Sequence, residues 1–236
     1  MPLAENLLKK GTARVVGSFG NAGSLRNSTV SSLSAVCDIA EIRLDLLLRD
    51  HPEFSAESWT HLLGFPLLFT ARRQEEGGAL TLNAAQRMGL LEKCLPDAAL
   101  IDIEVASIAE MQPLLEKARD LGIPWVASYH DFHKLPSRTT LEVAAASAKD
   151  AGAAVFKYAA QLSSPAELAF LAEFQQADHG ILVSSMGMGP LAPVSRQLCA
   201  QCGSVLNYGF IGDLPTAPGQ WNSTMLKNAI SHLAAL

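Results

Sequence analysis

Eight short runs of aliphatic and β-branched residues alternate with eight amphipathic stretches along the chain, and no other pattern restricts its fold as strongly. The spacing predicts strands over 13–19, 38–45, 66–72, 99–105, 124–130, 154–159, 180–185 and 205–210. It predicts helices near 24–35, 56–63, 81–94, 107–121, 139–150, 165–177, 190–201 and 220–235. Local signals agree with several of these bounds. Ser164 precedes Pro165 as an N-cap before a first-turn proline, and Gly122 and Gly152 follow helix ends. A helix between successive strands returns the chain to the same end of the sheet, so the strands run parallel. Eight repeats of roughly 25–30 residues suit a closed (β/α)8 TIM barrel better than an open doubly wound sheet. No Gly-x-Gly-x-x-Gly follows the first run, which weakens a dinucleotide-binding alternative. No low-complexity linker divides the chain, and residues 1–236 read as one domain.

Composition narrows the classes of function. With 236 residues and 49% hydrophobic content, the chain can bury one sizeable core. Charged residues make up 17% and the net charge is −5, with no basic run interleaved with aromatics, so no nucleic-acid partner is expected. No apolar run is long enough to span a bilayer, and the opening MPLAENLLKKGTARVVGSFG has no signal core with a cleavage site. A cytoplasmic protein without membrane contact is expected, in which the sequons at Asn27 and Asn222 carry no meaning. Cys199 and Cys202 form Cys-x-x-Cys, but no second pair stands near, and LAPVSRQLCAQCG reads as a helix ending at Gly203. Together with Cys37 and Cys94 they are expected to be ordinary reduced thiols.

A barrel of this kind carries its chemistry at the C-terminal ends of its strands. Polar groups there are therefore the candidates. AEIRLD places Glu41, Arg43 and Asp45 at alternating positions, which in a strand point to one face. They could bind a ligand or form an inward ion-pair set. TARRQEEGG brings Arg72 to a strand end and Glu76 into a glycine loop; a guanidinium suits hydroxyls and carboxylates, while a solvated loop is the plainer reading. LIDIEVAS carries Asp102 and Glu104 on one face, able to orient a reacting group or to pair with the arginines. SYHDFHKLPS puts His130 last in its strand and His133 beyond it. His-x-x-His also admits a metal pair, which would need further ligands. Lys157 sits in an otherwise uncharged run of eleven residues, Ala151 to Gln161. Lysine is rarely buried without cause. It is either an ammonium neutralised by a neighbouring carboxylate or an amine of lowered pKa able to attack a carbonyl, and His130 on the adjacent strand favours the second. Met186 and Met188 suit a pocket wall or core, Arg196 a helix surface, and APGQ a rigid turn that could present Gln220.

Seven stretches in order, EIRLD, LLFTARRQEEGG, IDIEVAS, SYHDFHK, VFKYA, SMGMGPLAPVSR and TAPGQ, resemble those of the type I 3-dehydroquinate dehydratases. The 27 residues between His130 and Lys157 agree with that family's spacing. The resemblance runs from the second strand to the last helix and implies a (β/α)8 barrel that works through a Schiff base. It implies that Lys157 forms the imine, that His130 is the acid/base, and that Glu76 supports its proton transfers. It implies substrate contacts from Glu41, Arg43, Arg72 and Gln220, a carboxylate held by Arg196, and pocket walls from Met186 and Met188. Thr216 stands where many members have serine, and Ser18 is the contact implied at the first strand, in a region that matches loosely. GPLAPVS, with two prolines and Ala192 where glycine is common, departs from the pattern and puts loop motion and affinity in question.

The implied reaction removes water from 3-dehydroquinate, giving 3-dehydroshikimate for aromatic amino-acid biosynthesis. A ketone's α-proton is too weakly acidic for a side-chain base, and a protonated imine on Lys157 supplies the missing electron sink. No metal or organic cofactor is expected, and the resemblance implies a homodimer. Three alternatives remain beside it: a Schiff-base aldolase sharing the sixth-strand lysine, a non-catalytic binding or scaffold barrel, and a metal-dependent hydrolase built on His130 and His133.

Overall fold

In the computed structural model, which describes residues 7–233, strand and helix alternate throughout. The strands are β1 (Arg14–Phe19), β2 (Ile39–Arg43), β3 (Leu67–Thr70), β4 (Leu100–Glu104), β5 (Trp125–Asp131), β6 (Val155–Gln161), β7 (Leu182–Met188) and β8 (Leu206–Ile211). The α-helices are α1 (Ala22–Asn27), α2 (Val30–Val36), α3 (Leu44–Asp50), α4 (Ala84–Cys94), α5 (Gln112–Asp120), α6 (Arg138–Asp150), α7 (Pro165–Gln176), α8 (Ala192–Gln201) and α9 (Ser223–Ser231). Neighbouring strands from β1 to β7 pair in parallel, and β8 pairs in parallel with β1. Between β7 and β8 the Val205 N–H donates to Val183 O at 3.3 Å and the Leu206 N–H to Ser184 Oγ at 2.8 Å. The result is the nearly closed (β/α)8 barrel that the alternation predicts.

Period-two alternation sorts each strand into an outer and an inner set. Outward residues such as Ile42, Phe69, Ile101 and Phe156 pack against Leu91, Leu114, Leu141 and Phe174 of the surrounding helices. Inward residues Val16, Ile39, Leu68, Leu100, Val126 and Val155 fill the lower half of the barrel. Above them the inward positions turn polar. The register sets Ser18 beside Glu41, Thr70 beside Asp102, and Lys157 between Ser128 and Ser184. All of these side chains are buried. Buried charge is costly unless paired, so a polar belt over an apolar floor survives only by satisfying itself internally.

Several boundaries differ from the sequence expectation. β2 stops at Arg43 rather than reaching Asp45, because LDLLLRD turns at once into α3. Asp45 therefore meets Arg43 across the first turn of a helix, where the helix dipole favours an acid. β3 ends at Thr70, which leaves Arg72 just past the strand. β5, β6 and β7 run further than expected, so Asp131, Met186 and Met188 belong to strands. The stretch 24–35 divides at Ser28 because Thr29 caps a second helix through a box with Ser32. The stretch 56–63 folds as two 3-10 turns instead of an α-helix. Residues 234–235 of the predicted last helix, and both ends of the 1–236 domain, lie outside the described residues.

Candidate active site

Lys157 projects from the middle of β6 into the barrel and is 4% exposed. Its Nζ lies 3.2 Å from Asp102 Oδ2 and 4.1 Å from the centroid of the Tyr208 ring, which it faces. The other oxygen of Asp102 accepts the Ser128 hydroxyl at 2.6 Å and pairs with Arg72 Nη1 at 2.9 Å. Burial works against the Asp102 carboxylate, yet Arg72, Lys157 and the Ser128 hydroxyl hold it at about 2. Burial lowers the Lys157 pKa; Asp102 opposes the shift and Arg72 adds to it. The amine thus gives up its proton more readily than a free lysine while a fixed anion stays within reach.

His130 follows Ser128 by two residues and reaches the same interior. Its Nδ1 lies 2.9 Å from Glu76 Oε2, and its backbone N–H donates to that same oxygen at 2.9 Å. Glu76 closes a 3-10 turn, Gln74–Glu76, that ends at Gly77 in the left-handed region with φ 87°. A Cβ on Gly77 would also come within 2.6 Å of the Phe132 ring, which stacks on His130. Glycine is needed there on both counts. Burial, then Arg72, Lys157 and Arg43, hold the His130 pKa well below its usual value. Burial pushes Glu76 up to about 7; Arg72 opposes this, while Glu104 and Asp102 reinforce it. One proton shared between neutral imidazole and carboxyl group near neutral pH is what an acid/base requires.

The remaining predicted residues close the same recess. Glu41 accepts hydrogen bonds from Ser18 and, at 2.8 Å, from Thr70. Arg43 grips Asp45 through two bonds of 2.8 and 2.7 Å and donates to Gly77 O at 3.2 Å, bracing the Glu76 turn. Arg72 Nη1 also reaches Glu104 at 3.0 Å and the Ser128 hydroxyl at 2.6 Å. Arg196, on α8, donates to the backbone carbonyls of Tyr208 at 3.0 Å, Gly187 at 2.8 Å and Ala192 at 3.1 Å. Burial lowers its pKa to about 10, and no carboxylate among the described residues pairs with it. An uncompensated buried guanidinium suits an anionic ligand. Met186 and Met188 line the β7 wall. Thr216 donates to Gln220 Oε1 through both N–H and hydroxyl at 2.9 Å. Gly189 N–H donates to Pro218 O at 3.2 Å, and Gly219, at φ 71°, sits so close to Gly189 O that no Cβ would fit. The loops after β7 and β8 are thereby latched together, and GPLAPVS leads straight into α8 with Pro193 in its first turn.

All twelve residues that the family resemblance implies for the site border this one recess at the C-terminal ends of the strands. His133 does not: its side chain is exposed, and the contact made there is its backbone N–H to Asp131 Oδ1 at 2.9 Å. Among the described residues no cluster of three metal-capable side chains occurs, and the four cysteines are unpaired. Tyr208, Thr70, Phe132 and Ser128 were not anticipated. Period two from Leu206 and from His130 points Tyr208 and Ser128 inward, but a tyrosine and a serine in strands raise no alarm. Arg87 on α4, buried and bonded to Glu104, had no signal at all.

The family model described as Type I 3-dehydroquinase matches residues 22–236. A 3-dehydroquinate dehydratase of Methanothrix thermoacetophila is 32% identical over 231 residues, covering 98% of this chain and 96% of that one. Another, from Shouchella clausii, is 28% identical over 224 residues, covering 88% and 87%. Among solved structures, the 3-dehydroquinate dehydratase of Geobacillus kaustophilus superposes with a TM-score of 0.80 at 24% identity, covering 93% of this chain and 90% of that one. At that identity the superposition speaks to the fold.

Proposed function

The chain belongs to the type I 3-dehydroquinase family, and from that premise we propose how its own residues dehydrate 3-dehydroquinate to 3-dehydroshikimate, a step of the shikimate pathway. The enzyme is a hydro-lyase. Lys157 Nζ, as free amine, adds to the ring ketone, and the resulting carbinolamine takes up a proton from the Glu76–His130 pair and loses water to give a protonated imine. His130 then takes the α-proton, and the electron pair moves through the imine to form an enamine. The enamine returns the pair, the β-hydroxyl leaves, and His130 delivers its proton so that water departs. Hydrolysis of the protonated product imine consumes one water, returns the proton to the Glu76–His130 pair and releases Lys157 as free amine. The net change is loss of one water from the substrate.

The observation that carries this reading is that Lys157 of β6 and His130 of the neighbouring strand β5, bonded to Glu76, line one recess. Burial favours the free amine of Lys157, and Asp102 holds a counter-charge for its protonated form. Glu76 fixes the imidazole through Nδ1, which leaves Nε2 to face the ring. Arg196, whose guanidinium donates to backbone carbonyls and meets no carboxylate among the described residues, receives the substrate carboxylate, while Arg72, Arg43, Glu41, Ser18, Thr216 and Gln220 meet its hydroxyls. Met186 and Met188 exclude water from the imine. The catalytic unit on this reading is a single domain over residues 1–236.

Absorbance of the conjugated enone formed from 3-dehydroquinate tests the assignment. Wild-type protein should produce it and Lys157→Ala should not. His130→Ala should be slower by roughly 10²–10⁴-fold. Wild-type-like rates in either variant would refute the role given to that residue.

A further inference from the structure

Arg87 lies on α4, outside the recess, and is 2% exposed. Its Nη1 meets Glu104 Oε2 at 2.6 Å, and its Nη2 is held by the Ser107 hydroxyl at 2.8 Å and Glu110 Oε1 at 2.6 Å. The opposite oxygen of Glu104 does different work. Oε1 accepts Arg72 Nη1 and the Arg73 backbone N–H, both at 3.0 Å. Arg72 lines the recess, and Arg73 begins the turn that ends at Glu76, whose Oε2 holds His130. One carboxylate therefore stands between an outlying arginine and two separate parts of the site.

We propose that Arg87 is a positioning residue of the reaction, holding Glu104 so that its inner oxygen aims Arg72 at the substrate and anchors the Glu76 turn against His130. The inference rests on the function proposed above. A carboxylate gripped on one oxygen by a fork that is itself fixed at two further points cannot rotate about its own axis. With Arg87 gone, Glu104 is a buried acid free to turn toward Arg72 alone, and both the guanidinium and the turn lose their reference. Small misplacements of reacting groups carry large rate effects. A merely structural strut between α4 and β4 would alter stability and leave binding and His130 untouched.

The test compares Arg87→Met, Arg87→Lys and Glu110→Gln with wild type in the full chain. Arg87→Met should raise KM for 3-dehydroquinate about tenfold and also lower kcat, and Arg87→Lys should recover part of both, since it restores a cation at Glu104. Glu110→Gln, which loosens Arg87 without leaving a core charge unpaired, should shift KM in the same direction by a smaller factor and serves if Arg87→Met does not fold. In ligand-free protein, ¹⁵N spectra of the His130 imidazole at one pH should change in Arg87→Met and return toward wild type in Arg87→Lys. Folded variants with unchanged KM, kcat and His130 spectra would overturn the proposal. The spectra need no turnover. Wild type that fails to dehydrate 3-dehydroquinate while its His130 signal still follows Arg87 would sink the functional reading alone.

Discussion

At the scale of single residues the site is a set of opposed pKa shifts. Glu76 rises from its ordinary 4.5 to about 7, while His130 falls well below its usual value. Each shift links to stability with its own sign. The folded Glu76 binds a proton that the unfolded chain has released, so its contribution is full below about 4.5 and is lost as pH climbs through about 7. His130 acts in the opposite sense, present above its unfolded pKa and lost as pH falls. Replacing Glu76 by Gln removes only the first dependence. Chemical denaturation should show Glu76→Gln gaining stability over wild type as pH rises from about 5 to about 8, by at most ~3 kcal/mol at about 1.4 kcal/mol per unit. A constant difference across that range would show that Glu76 is not buried as a carboxylic acid. Residues of this kind were legible where they broke a pattern. Lys157 stands out in an otherwise uncharged strand, and His130 follows an uncharged run directly before Asp131. Ser128 and Tyr208 conform to theirs, and Arg87 occupies an ordinary helix position. Their importance lies in partners distant in the chain, as with the 17 residues from Arg87 to Glu104 and the 56 from Arg72 to Ser128.

At the scale of elements the turn after β3 shows how local geometry delivers a side chain. Arg73 N–H is pinned to Glu104, Gly78 N–H returns to Arg73 O at 2.9 Å, and Gly77 reverses the chain at positive φ. Arg43 ties Gly77 O to Asp45, itself capped by the Ala79 N–H at 2.9 Å. Gly77→Ala adds both a left-handed strain of about 1–2 kcal/mol and a clash with Phe132. It should lower turnover tenfold or more while leaving Lys157 able to form its imine, since no Lys157 contact passes through the turn. Wild-type turnover in that variant would detach the turn from catalysis. The two glycines after Glu76 made this loop visible in the sequence. The end of β2 was not visible, because EIRLD alternates as a strand would, and only the decision of LDLLLRD to coil places Asp45 on the turn instead. The short 3-10 pieces at 56–62 were equally hidden, since eight amphipathic residues suit either helix type.

At the scale of the molecule, the barrel divides its interior into an apolar floor and a charged upper belt. The floor holds eight strands together, and the belt converts that rigidity into fixed donor and acceptor positions at the C-terminal mouth. Eightfold alternation made the architecture legible from sequence, because few other arrangements bury eight strands with a helix after each. What sequence could not supply was the pairing inside the belt, which depends on register between strands and on which oxygen of each acid faces which cation. On the function proposed above, this belt presents one amine, Lys157, to a ketone. Borohydride added to the protein with 3-dehydroquinate, followed by peptide mass spectrometry, tests it directly. A stable adduct is expected on the peptide carrying Lys157, formed also by His130→Ala and absent from Lys157→Ala. An enzyme that turns over normally yet leaves Lys157 unmodified, or carries the adduct on another residue, would contradict it.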